Sequence, residues 1–187
     1  MRLAVLASGS GTLLDAMATA GLPIDLVVVD RQCAVQDVAA RHSLECRLIE
    51  RTDFGAGFDR DAYTDRVLDR LSIDRIELIA MAGWGTILGA GAFEAYPGHI
   101  LNTHPSLLPA FPGWQAVRDA LEYGVKVTGC TVHIATEQVD TGPILAQQPV
   151  AVLDGDDEAS LHERIKEVER ELYVRTISNI LERERVS

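Results

Sequence analysis

An amide and an imidazole two residues apart, Asn102 and His104 in the stretch ILNTHPSLLPAFPG, are the residues of this sequence best placed to do chemistry. If the stretch begins as a strand, a spacing of two turns both side chains to one face. Strand ends in open α/β sheets are where ligand crevices form. There an amide N–H can donate to a developing oxyanion, and an imidazole can move a proton near neutral pH. Pro105, Pro109 and Pro112 stiffen the loop that follows. On the residues alone, a structural Asn and His satisfied at a strand end is an equally open reading. Asp140 lies in TEQVDTGP among residues that favour turns. A carboxylate there can orient a histidine and favour its charged form, or simply cap its own loop. The linear sequence does not bring it to His104. His133 alternates with Thr131 in a β run and reads as a packed or hydrogen-bonded strand histidine; His42, His99 and His162 carry no motif and read as surface residues.

A second candidate is Ser8-Gly9-Ser10-Gly11-Thr12, placed between a first strand and a first helix. Such a junction sets free backbone N–H groups and the positive helix end beside a glycine turn, which suits an anion. Ser10 and Thr12 add hydroxyl donors. Leu14 breaks the dinucleotide fingerprint GxGxxG, and no Gly-Lys-Ser/Thr follows to make a Walker loop. Asp30, at the end of the second strand, stands about where a ribose-binding acid would. A phosphate-monoester site, a dinucleotide site and a plain βα turn capped by Thr12 all remain open.

The elements that must hold these residues follow from hydrophobic period. Leu3–Ala7, Ile24–Val29, Cys46–Ile49 and Ile76–Ala82 read as buried strands, separated by helices at Thr12–Ala20, Ala34–His42 and Arg60–Leu71. This alternation predicts a three-layer α/β fold, a mostly parallel twisted sheet with a Rossmann-like N-terminal half. Beyond Gly83 the pattern predicts a short helix near Ala90–Tyr96 and a strand near His99–Thr103. A helix at Trp114–Tyr123, a β run Val125–Ala135 and a strand Ile144–Val150 follow. The last element, Glu158 to about Glu182, reads as a helix with Leu161, Ile165, Val168, Leu172 and Ile177 on its core stripe. Lys166 and Glu169 fall off that stripe at i,i+3 and read as a solvated ion pair. No repeat or linker divides the chain, so one domain over residues 1–187 is expected.

A net charge of −11, from 17 Lys+Arg against 28 Asp+Glu, argues against a nucleic-acid binder. It leaves room for a small phosphorylated ligand held by a local donor cluster. Cys33, Cys46 and Cys130 are too few and scattered for a disulfide frame or a zinc site, and read as buried small hydrophobes. No apolar run approaches the roughly 20 residues of a membrane span, and Leu3–Ala7 is too short for a signal sequence. A cytoplasmic protein is expected, with monomer and homodimer both open.

Taken together, LASGSGTLLDA, MAGWGTIL, ILNTHPSLLPAFPG, GVKVTGCTVHIATEQVDTGPILAQQPV and ERIKEVERELY resemble the folate-dependent formyltransferase family over about residues 2 to 175. The resemblance implies transfer of the formyl group of 10-formyltetrahydrofolate to the amine of 5-phosphoribosyl-glycinamide (GAR) in purine biosynthesis. It implies no metal and no covalent enzyme intermediate. By the same resemblance Asn102, His104 and Asp140 are catalytic. Ser10, Gly11, Thr12 and Leu13 hold the ribose phosphate, with Lys166 and Glu169 near the phosphate and ribose. Arg60, Trp84, Gly85, Thr86, Ile87, Leu88, Asn102 and the run Thr136, Glu137, Gln138, Val139 and Asp140 bind folate. Those assignments make the N-terminal half phosphate-binding and the C-terminal half folate-binding and catalytic.

Three departures from the family pattern stand out. Leu13 stands where many relatives have asparagine, Gly85-Thr86 where Met-Arg is usual, and Arg170 and Val174 where histidine and proline are usual. The second removes a charge from the folate-lining segment. Among rivals of the same fold, a tRNA formyltransferase is expected to be longer and basic. A formyltetrahydrofolate deformylase is expected to carry an extra N-terminal domain, and a sugar-nucleotide formyltransferase to be longer and to lack the SGSGT loop. A non-catalytic nucleotide-binding module would leave Asn102, His104 and Asp140 unexplained. A degenerate relative would bind ligands and turn over slowly.

Overall fold

All five residues of β1 (Leu3–Ala7) are buried, so this strand has to be covered on both faces and paired on both edges. In the computed structural model, which describes residues 1–186, it lies between β2 (Ile24–Val29) and β4 (Leu78–Met81), parallel to both. β3 (Cys46–Leu48) extends the sheet beyond β2, and β5 (Ile100–His104) extends it beyond β4, again in parallel. Parallel neighbours need crossovers. These contain α1 (Thr12–Thr19), α2 (Val35–Arg41), α3 (Arg60–Ile73) and α4 (Ala90–Ala95). The elements up to Leu101 form one compact unit with strand order β3-β2-β1-β4-β5.

A second compact unit begins at Asn102, inside β5. It holds the end of β5, α5 (Ala116–Tyr123), the antiparallel pair β6 (Val127–Ile134) and β7 (Ile144–Ala151), and α6 (Glu158–Arg183). Its strand order is β5-β6-β7, with a register shift between Val132 and His133, inside β6 near its end. The seven strands make the mostly parallel α/β fold expected from the alternating pattern.

Side-chain caps set two of the helix starts. The Asp59 carboxylate accepts from Ala62 N at 2.9 Å and opens α3. For α6, Asp157 accepts from Ser160 N at 2.8 Å while the Ser160 hydroxyl accepts from Asp157 N at 3.0 Å, a reciprocal capping box. α1 starts otherwise: its N-cap is Gly11, not Thr12, which makes no cap and is the first helical residue. Gly11 has φ 78°, a left-handed conformation that only glycine adopts cheaply.

The α6 core differs from the stripe read in sequence. Leu161, Ile165, Leu172 and Ile177 are buried, but Val168 is only half-buried, and Tyr173, Thr176 and Ile180 join the core. The buried face thus turns round the helix along its 26 residues, which a single straight stripe does not capture. Cys130 is buried as expected; Cys33 and Cys46 are only half-buried, because one precedes α2 and the other sits on edge strand β3. His42, His99 and His162 are also half-buried rather than on the surface. His42 places Nε2 2.8 Å from Asp15. Among the described residues no helix is long and apolar enough to cross a membrane.

Candidate active site

β5 ends in the second unit with Asn102, Thr103 and His104, and the loop after it is tied down by β6 and β7. The Thr131 hydroxyl donates to Ser106 O at 2.7 Å and accepts from Leu108 N at 3.0 Å. Gln147 Nε2 donates to Leu108 O at 2.9 Å and to Thr131 at 3.0 Å. Ser106 Oγ donates to Ala110 O. So anchored, the loop aims the Phe111 carbonyl and the Gly113 N–H at the end of β5.

Those two backbone groups complete a polar cluster with buried ionisable side chains. His104 Nε2 donates to Phe111 O at 2.8 Å, and its Nδ1 lies 3.3 Å from Asp140 Oδ2. Gly113 N donates to the same Asp140 oxygen at 2.8 Å. With side chains 6% and 4% exposed, His104 and Asp140 meet in a site nearly free of bulk water, where charge interactions strengthen. Each imidazole nitrogen faces an acceptor, so only the doubly protonated ring can donate to both. Asp140 has φ 58°, a left-handed conformation at a non-glycine residue in the loop joining β6 to β7. Such backbone strain concentrates at functional sites.

His133 belongs to the same cluster, a link the sequence did not provide. Its Nδ1 donates to Ile134 O at 3.1 Å, which leaves Nε2 to accept from Asn102 Nδ2 at 3.3 Å. Burial pushes its pKa below the usual histidine value, outweighing the Ile134 carbonyl and Asp140. His133 is therefore a neutral acceptor that orients the Asn102 amide. Asp140 Oδ1 stands 3.7 Å from Nε2, too far for a hydrogen bond. Strand alternation linked His133 to Thr131 but not to its neighbour on β5.

Thr136, Gln138 and Thr141 fold the β6–β7 loop on itself: Thr136 and Thr141 both donate to Gln138 O at 2.9 Å. Glu137, Gln138 and Val139 are exposed. On α6, Lys166 and Glu169 are not the ion pair that their spacing suggested. Lys166 Nζ pairs with Glu163 at 2.7 Å, and Glu169 Oε1 accepts from the Thr103 hydroxyl at 3.0 Å. Burial raises the Glu169 pKa, against the Thr103 hydrogen bond and the charges of Lys166 and Arg170.

The glycine loop lies in the first unit. Ser8 faces inward, its hydroxyl accepting from Gly85 N at 2.8 Å and its N–H donating to Gly83 O at 3.2 Å. Gly9, Ser10 and Thr12 are exposed, whereas Gly11 and the Leu13 side chain are buried. The Ser10 and Thr12 hydroxyls stand 3.5 Å apart at the start of α1. Asp30 does not offer a carboxylate to a ribose. It is fully buried, accepts from Arg31 Nε and Nη2 at 2.9 and 3.0 Å, and takes the Thr86 hydroxyl at 2.8 Å. Burial alone would raise its pKa; the hydrogen bonds from Arg31, Thr86 and Ser8 hold it below the usual carboxylate value. This occupation removes the acid on which the dinucleotide reading rested.

The formyl transferase family pattern matches residues 1–177. The chain belongs to the formyl transferase family. It is 47% identical over 182 residues to phosphoribosylglycinamide formyltransferase of Mycobacterium tuberculosis, covering 95% of this chain and 83% of that protein. It is 39% identical to part of the trifunctional purine biosynthetic protein adenosine-3 of Gallus gallus, covering 92% of this chain and 18% of that one. The crystal structure of phosphoribosylglycinamide formyltransferase from Bacillus halodurans superposes with a TM-score of 0.88 at 34% identity, over 97% of this chain and 95% of that one.

In this formyl transferase the Trp84–Leu88 segment is mostly inward-facing: Trp84, Thr86 and Leu88 are buried and Ile87 is exposed. Trp84 Nε1 has no hydrogen-bond partner among the described residues. Gly85-Thr86 does not leave a hole where the family usually has Met-Arg. The Thr86 hydroxyl is spent on Asp30, and Arg31 Nη2 lies 3.3 Å from where a Gly85 Cβ would be. A cation from the end of β2 thus borders this segment, which no motif in the sequence signalled. Arg60 is exposed in the first turn of α3.

Proposed function

We propose that this formyl transferase moves the formyl group of 10-formyltetrahydrofolate to the primary amine of GAR, a step of purine biosynthesis. The observation that carries the reading is the buried cluster at the end of β5, in a chain 47% identical to a phosphoribosylglycinamide formyltransferase. In this reading the neutral amine attacks the formyl carbon, a C–N bond forms, and the formyl oxygen becomes an alkoxide. Asn102 Nδ2 donates to that oxygen, its amide held in orientation by His133. His104 as imidazolium adds a second donor by exchanging the neutral Phe111 carbonyl for the anionic oxygen, the stronger acceptor. Asp140, fixed by Gly113 N, retains the imidazolium charge. His104 then gives a proton to the folate nitrogen as the C–N bond to folate breaks and the alkoxide collapses back to a carbonyl, and the neutral ring takes the proton lost by the former amine, which restores the imidazolium. Atoms and charge balance with no covalent enzyme intermediate.

The remaining ligand assignments belong to the same proposal. The backbone N–H groups of Ser10–Leu13 and the hydroxyls of the exposed Ser10 and Thr12 hold the phosphate monoester at the start of α1. Glu169 and Lys166 serve the ribose and phosphate. Arg60, Trp84–Leu88, Asn102 and Thr136–Asp140 serve folate. The test mixes protein, GAR and a 10-formyl folate analogue whose absorbance changes on deformylation. GAR-dependent turnover is expected. No change at micromolar enzyme overturns the reading, and a change that needs no GAR replaces it with hydrolysis.

A further inference from the structure

Thr103 stands between Asn102 and His104 on β5, so strand alternation sends its side chain to the opposite face of the sheet. There its hydroxyl meets two groups from different elements: Cys130 Sγ of β6 at 3.2 Å and Glu169 Oε1 of α6 at 3.0 Å. A threonine hydroxyl has one proton to give. Burial pushes the Cys130 thiol up to about 12, so it keeps its proton and serves as the donor to Thr103. The Thr103 proton is then committed to Glu169, and the three groups form one directional chain, S–H to O–H to carboxylate.

We propose that Thr103 is a positioning residue for GAR: its hydroxyl fixes one oxygen of Glu169 so that the other receives the ribose diol. The inference rests on the GAR reading above for its ligand and on the geometry for its mechanism. One strand then registers both ends of the substrate. Asn102 and His104 face the transferred group, and Thr103, between them, sets the carboxylate that grips the sugar. An unheld glutamate can rotate about its side-chain torsions, and the diol must then bear the cost of ordering it. The charged groups facing Glu169 are Lys166 and Arg170 of α6; Cys130 is the titratable group from β6 and Thr103 the neutral donor from β5.

Thr103→Val deletes the hydroxyl at constant shape, and Thr103→Ser restores it. Steady-state kinetics should show KM for GAR rising roughly 5- to 20-fold in the valine variant, as for loss of a hydrogen bond to a charged group. kcat and KM for the folate substrate should stay within about threefold, and serine should recover the wild-type value. Because Thr103 favours the charged form of Glu169, the acid limb of kcat/KM for GAR should move to higher pH in Thr103→Val. The Glu169 titration, read by carboxyl carbon NMR with Glu169→Gln as the assignment control, should move the same way without substrate. An unmoved Glu169 titration overturns the inference whatever the enzyme's substrate. A moved titration in a protein that does not bind GAR removes the GAR reading and leaves the Thr103–Glu169 link standing. Equal losses in both KM values with a lowered Tm would reduce Thr103 to a packing residue.

Discussion

Gly142→Ala tests whether the β6–β7 loop, rather than Asp140 alone, sets the site. A Cβ at position 142 would overlap the Ile134 carbonyl oxygen and press on Ile134 C at 3.0 Å and Thr136 Cγ2 at 3.1 Å. Carbon contacts settle at roughly 3.5–4 Å, so the loop strand carrying residues 140–142 must withdraw by on the order of 1 Å. Ile134 cannot yield instead without giving up its 2.9 Å ladder bond to Pro143 O. The His104–Asp140 separation is already 3.3 Å, at the long end of a working contact, and a further ångström opens it. Misplacement of about 1 Å can cost on the order of 100-fold in rate. The expected outcome is a kcat about 100-fold lower with KM for GAR little changed, although no side chain of the cluster has been altered. The assay is GAR-dependent deformylation, with circular dichroism and Tm to confirm the fold. A kcat within threefold of wild type would refute the reasoning, since it would mean that the loop accommodates the methyl group without moving Asp140.

His104→Ala and Asp140→Ala should each lower kcat by roughly 100- to 10,000-fold with a smaller change in KM, as expected for groups acting on proton transfer; near-normal turnover in either excludes the shuttle. Gly11→Ala has to hold φ near 78° and would bring its Cβ to 2.8 Å from Val38 Cγ2 and 3.2 Å from Val35 Cα. It should raise KM for GAR while leaving folate affinity intact, and titration calorimetry with each ligand distinguishes this from a general loss of fold. His133 is buried with a depressed pKa, so the unfolded chain binds its proton first as pH falls. Its contribution is complete above the ordinary value of 6.5 and is lost progressively as pH falls toward the native pKa. The Tm of His133→Gln should therefore fall less than that of wild type between pH 7 and 5, with part of the slope left to His162, which is depressed by burial in the same sense. Equal slopes would contradict the neutral-acceptor assignment.

Local pattern was sufficient for most of the backbone. β1, β2 and β4 could be read because buried parallel strands are continuous apolar runs, and α6 because Leu161, Ile165, Leu172 and Ile177 recur at helical period on its buried face. The spacing of Asn102 and His104 likewise singled out two residues of the polar cluster at the end of β5. What stayed hidden were contacts between residues far apart in the chain. Asp140 reaches His104 across 36 residues because the β6–β7 loop turns back over the anchored loop after β5. His133 finds Asn102 only because β6 neighbours β5. Lys166 and Glu169, one helical turn apart, suggested each other, yet Glu163 and Thr103 were the partners present.

The sequence by itself determined the order of elements, the face shared by Asn102 and His104, the glycine turn before α1 and the likeness to the formyltransferase family. These depend on short-range periodicity, on turn chemistry and on motifs that are contiguous in the chain. Tertiary structure alone decided which acid serves which partner. Asp30 has the spacing of a ribose-binding acid, but Arg31 and Thr86 occupy both of its oxygens. Asp140 has the setting of a loop cap, but it is delivered to His104. A carboxylate's role follows from the donors that surround it after burial, and chain spacing cannot fix those when they arrive from other strands and loops.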